Sequence, residues 1–208
     1  MDSTGGNEDD SLLWKLLRWI IDIGINGGGI LPSAEKVAAD HLKNAETVED
    51  AINSVIAWRT THAAGTGFAT GLGGIITLPA SIPASMISSY VLGANTAAAV
   101  AKLRGYDVNS DQVQTIVLLC LLGRGGQEIL RAAGVKIGQN VFKNMVGQIP
   151  GKVLIEINKK VGFRLITKAG EKGAINLMKM LPIAGGVVGA TFDGMFVNVC
   201  GKTAKKMF

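Results

Sequence analysis

Between Thr60 and Ala101 the chain passes 42 residues without an Asp, Glu, Lys or Arg. A stretch so long and so free of charge has few destinations: a bilayer, a small-molecule pocket, or the interior of a packed protein. Eleven of its residues are Ser, Thr or Asn, six are Gly and two are Pro, and these interrupt every apolar run. No run reaches the roughly 18 residues that a transmembrane helix requires. Backbone groups freed near Pro79 and Pro83 would also need protein or water partners inside a bilayer. The stretch does not support assignment of a simple membrane span. The sequence leaves an apolar 75–101 hairpin that could insert into lipid, enclose an acyl chain or form core.

Within this stretch Gly67 and Gly71 are four apart, with Gly74 close behind, and the device returns at Gly185 and Gly189 and at Gly134 and Gly138. Residues four apart share a helix face, and missing side chains there let a second backbone come close. The spacing predicts tight helix crossings. The run "GTGFATG" follows no strand and precedes no Lys-Ser or Lys-Thr pair, so it does not make a phosphate-cradling loop.

Elsewhere the apolar positions recur with helical rather than alternating spacing, and no hairpin signal appears. Ser33 caps a predicted helix to about Asn44, and Thr47 with Asp50 opens the next in a capping-box pattern. Pro83 starts a helix to about Arg104, closed by Gly105 in a left-handed cap. Further predicted helices cover about 112–123, 126–147, 151–169, 171–180 and 183–205. The chain thus reads as all-α, a compact bundle of about 8–10 helices with glycine-rich crossings and an amphipathic N-terminal helix. Residues 1–10 read as a disordered acidic tail, 11–32 as that helix with a glycine linker, and 33–208 as the helical domain.

Charge is divided unevenly. Residues 1–101 hold 5 Lys or Arg against 10 Asp or Glu, and residues 102–208 hold 16 against 6. A half with net charge +10 attracts anionic partners, either phospholipid or nucleic acid. In "SLLWKLLRWIIDIGI", Lys15, Arg18 and Asp22 form a narrow polar stripe inside a wide apolar arc that includes Leu13 and Ile20, with Trp14 and Trp19 suited to a headgroup boundary. That helix fits a membrane surface, its own domain or another protein. A second element repeats basic residues every four positions and includes Lys159, Lys160, Arg164 and Lys168. Stacking aromatics are nearly absent from it, which disfavours nucleic acid.

Catalytic chemistry finds little support. His41 and His62 have no second His or Cys at ligand spacing, and no serine sits in a nucleophile elbow. Cys120 and Cys200 lie in apolar surroundings and suit a reducing cytoplasm. No catalytic residue, cofactor or metal is expected. Asp193 interrupts an apolar run, and a carboxylate there needs a partner, for which Arg124 or Arg164 is the first choice. Arg124 can also pair with Glu128, four residues on.

Several ordered segments, "GFATGLGGIITLPASIPASM", "GYDVNSDQVQTIVLLCLLG", "IPGKVLIEINKKVGFRLITKAGEKGAINLMKMLPIAGGVVGATFDG" and "GKTAKKMF", resemble the EcsC family of bacterial proteins over about residues 35–208. The resemblance implies a mostly helical bacterial protein, intracellular or membrane-associated and loosely linked to transport or secretion through a neighbouring ABC-transporter operon. It supplies no catalytic residues. The expected function is non-enzymatic binding of anionic lipid or of a membrane protein, at the inner face of the membrane, peripherally or partly embedded. The alternatives are a soluble adaptor of a transporter or secretion complex, and a hydrolase whose site the sequence hides.

Overall fold

The structure, a computed structural model, describes residues 5–65, 84–135, 146–169 and 192–208. Eight helices account for most of these residues: α1 Gly5–Asn26, α2 Ala34–Leu42, α3 Val48–Gly65, α4 Ala84–Leu103, α5 Asp111–Cys120, α6 Arg124–Ala132, α7 Gly151–Ala169 and α8 Phe192–Met207. No strand occurs among the described residues, and the fold is an all-α bundle.

Helix α4 is the axis of that bundle. It packs against α1, α2, α3, α5 and α8, and every residue from Met86 to Ala101 is buried. A helix that is apolar on all sides is buried on all sides. Small residues let its neighbours approach. A Cβ placed on Gly24 of α1 would lie 2.7 Å from Ala94 Cβ, and one on Gly201 of α8 would lie 2.7 Å from Ile56 Cγ1. A Cβ on Gly93 of α4 would likewise lie 2.9 Å from Cys200 Sγ of α8. The predicted crossings at Gly67, Gly71, Gly74, Gly185 and Gly189 lie outside the described residues.

The helix limits follow local chemistry. Ser33 Oγ accepts a bond from Lys36 N at 3.2 Å, Thr47 Oγ1 from Asp50 N at 3.1 Å, and Ser110 Oγ from Val113 N at 3.4 Å. Each hydroxyl satisfies one amide that a helix start leaves open. Gly105 closes α4 with φ of +76°, as its place in "RGYD" predicts.

Residues 5–10, which the sequence assigns to an acidic tail, fall within the first turns of α1. The predicted single helix over 126–147 ends at Ala132. Gly134 has φ of +78°, and Val135 N reaches back to Leu130 O at 3.1 Å. Gly134 therefore ends a helix and does not line a crossing face.

The charge-free stretch also changes meaning. Its described second half is the central helix of the core, with no face left for lipid. Of the expected 75–101 hairpin, residues 84–101 lie within the single helix α4, and residues 66–83 lie outside those described.

Candidate functional site

Burial on every side forces the polar groups of α4 to find partners within the protein. Tyr90 donates its hydroxyl to Leu165 O at 3.0 Å, and Thr96 donates to Leu92 O at 2.8 Å. Asn95, with 0% of its surface exposed, joins four elements. Its Oδ1 accepts from the Arg59 guanidinium, and its Nδ2 donates to Gly24 O at 2.8 Å and to Pro32 O at 3.0 Å. Arginine can only donate and carbonyls can only accept, so the amide can sit only this way round.

Arg59 is 3% exposed, and among the described residues it has no carboxylate partner. Burial lowers its pKa to about 10, so it remains charged at neutral pH. Two features hold that charge. The Trp58 ring lies 4.7 Å from the guanidinium carbon, within cation–π range. The Asn95 amide relays the dipole to Gly24 O, one of the last four carbonyls of α1, at the negative end of that helix. Sequence reading missed this node. Its only signal was an Arg on the apolar face of α3 facing an Asn inside a charge-free helix.

Asp193 is half-buried and accepts a hydrogen bond from Ser89 Oγ of α4. It pairs with neither proposed arginine. Arg124 is exposed and not a buried charge, and Arg164 Nη1 donates to Gly125 O at 3.3 Å. A serine hydroxyl meets the need for a hydrogen-bonded carboxylate without a second buried charge.

The histidines lie beside the surface of α2 and α3. His41 Nδ1 is 2.8 Å from Ser54 Oγ, and His62 Nδ1 is 2.9 Å from Trp58 O. Burial, and then the charge of Arg59, lower the His41 pKa. Both thiols are fully buried, and burial raises their pKa values, so neither is primed as a nucleophile. Among the described residues no group of three or more His, Cys, Asp or Glu side chains could hold a metal ion.

The N-terminal helix is not the exposed amphipathic element that its sequence allows. Leu16, Leu17, Ile20, Ile21 and Ile25 are core residues, with Ile20 at 0% exposure, and Trp14 and Trp19 are half-buried against the same core. The wide apolar arc is used up by contact with α4, so Ile20 cannot meet a membrane, and the helix is integral to the domain. The side chains of Leu13 and Lys168 lie outside those described.

Helix α7 presents a different surface. Leu154, Ile157, Val161 and Leu165 form its inner face. Lys152, Glu156, Lys159 and Lys160 are exposed, and so are Ile155 at 51% and Phe163 at 67%. At about 100° per residue these six lie on one outward arc. Arg164 turns from that arc toward α6, which is why it is half-buried. Two large apolar side chains set among three lysines are unusual on a solvated face.

Among the described residues no helix is long and apolar enough to cross a membrane. No match was found among curated proteins or solved structures. The model of the EcsC protein family matches residues 25–208, from the last turn of α1 onward. That match spans the central helix, Arg59 and Asn95, and the basic face of α7, and the chain belongs to the EcsC family.

Proposed function

We propose that this protein is a non-catalytic module that docks peripherally on an anionic lipid surface through the outer face of α7, in the service of a transport or secretion system. The observation that carries the reading is the exposure of Phe163 and Ile155 on the arc that holds Lys152, Lys159 and Lys160. Each lysine near an anionic surface contributes about 1 kcal/mol. Glu156 offsets about one of these. Partial burial of Ile155 and Phe163 adds about 2–3 kcal/mol. The sum of about 4–5 kcal/mol corresponds to a Kd of about 0.2–1 mM, a weak and reversible attachment.

Flotation with vesicles of phosphatidylglycerol and phosphatidylcholine, against phosphatidylcholine alone, tests this. The protein should rise only with the anionic vesicles, less so at high salt. The triple variant K159Q/K160Q/F163A should stay below. Wild-type protein at the bottom of both gradients removes lipid docking and leaves a soluble adaptor role.

A further inference from the structure

Several cations on other described surfaces are paired within the protein, whereas Lys15, Arg18, Lys152 and Lys160 stand exposed without an ion pair among the described residues. Lys36 and Lys43 pair with Asp40, Lys102 with Glu35, and Arg104 and Lys205 with Glu49. The groove between α6 and α8 is distinguished by gathering four unpaired cations around one cleft. Its walls carry Arg124, Glu128 and Arg131 from α6, and Lys202, Thr203 and Lys206 from α8, around about 330 Å³. Positions 124, 128 and 131 share one face of α6, and 199, 202, 203 and 206 share one face of α8. None of the four cations, nor Glu128, has an ion-pair partner within 4.0 Å among the described residues.

Helix dipoles account for only part of this crowding. Arg131 and Lys206 stand in the last turns of their helices, where cations are favoured. Arg124 is the first residue of α6, at the positive end, beside Gly123, which offers no side-chain cap. There the dipole adds to the arginine charge, and Glu128, four residues on, is the one carboxylate in the groove lining that offsets it. Four cations against one carboxylate leave the cleft with a net charge of +3, and an anion of charge −2 or more relieves that repulsion. Guanidinium forks and lysine ammonium groups both suit phosphate oxygens, and the buried Thr203 hydroxyl adds a donor at the floor.

We propose that the α6–α8 groove binds a phosphate-bearing polyanion through Arg124, Arg131, Lys202 and Lys206. The proposal deepens the membrane reading by giving a lipid phosphate a seat, and a soluble phosphate compound would use the same chemistry. The test is calorimetric titration of the full chain with inorganic triphosphate at about 20 mM salt, where charge screening is weak. Saturable binding is expected. R131Q/K202Q/K206Q should weaken it about a hundredfold, the loss of three charge-assisted contacts, whereas K36Q/K43Q should leave it unchanged. All three groove residues are exposed, so an unaltered melting temperature certifies the fold of the variant. Absence of saturable heat, or equal affinity in the groove variant and wild type, overturns the proposal.

Flotation then separates the two sources. Release from anionic vesicles by triphosphate, with weaker flotation of the groove variant, assigns the site to lipid phosphate. Triphosphate binding with flotation untouched assigns it to a soluble compound. The α7 variant K159Q/K160Q/F163A should keep its triphosphate affinity, so failure of the membrane reading and failure of this one give different results.

Discussion

Replacing Asn95 with Ala should be among the most damaging single changes in this domain, although the residue touches no surface. The substitution removes the acceptor for Arg59 and the donor to Gly24 O and Pro32 O. Loss of a buried bond to a charged group costs about 2 kcal/mol, and each orphaned buried carbonyl about 1 kcal/mol. The total of about 4 kcal/mol is a large part of the roughly 5–15 kcal/mol that holds a domain together. For a chain of this size it corresponds to a fall in Tm of about 8–16 °C. Thermal and urea unfolding followed by circular dichroism would measure it. The cycle with Arg59→Met identifies the cause. Methionine removes the buried charge, so the double variant should be about 2 kcal/mol more stable than the sum of the single effects predicts. A loss below about 1 kcal/mol for Asn95→Ala, or strict additivity in the cycle, would refute the claim that Asn95 holds the Arg59 charge inside the protein.

Two further perturbations probe the same architecture. Gly24→Ala places a methyl group 2.7 Å from Ala94 Cβ, where only movement of α1 gives relief, and should cost about 2–3 kcal/mol in urea unfolding. Gly151→Ala meets nothing within 4 Å and should stay within about 0.5 kcal/mol of wild type; equal effects would contradict the close crossing. The lowered His41 pKa makes a pH prediction. Above its ordinary value of about 6.5 the ring is neutral in both states, and stability is intact. As pH falls below that value the unfolded chain takes up the proton first, so folding weakens toward the folded pKa. Wild type should lose more stability than His41→Gln between about pH 7.5 and 5, above the range in which the carboxylates titrate, and parallel curves would assign the pH response elsewhere.

The sequence by itself determined the local order of this protein. Helical spacing, the absence of hairpin signals, the caps at Ser33 and Thr47, and the left-handed Gly105 are all written within a few residues of where they act. They fixed an all-α chain and several of its helix limits. Tertiary structure alone decided what each apolar face meets. Periodicity shows which side chains leave water, but not whether hydrocarbon or another helix replaces it, because the two are equally apolar. Ile20 and the second half of the charge-free stretch therefore belong to the core, while Phe163 and Ile155 face outward. The same limit hid the partners of Asp193 and Arg59, which lie 104 and 36 residues away along the chain. It also hid the α6–α8 groove, whose two walls meet only because both helices pack on the bundle around α4.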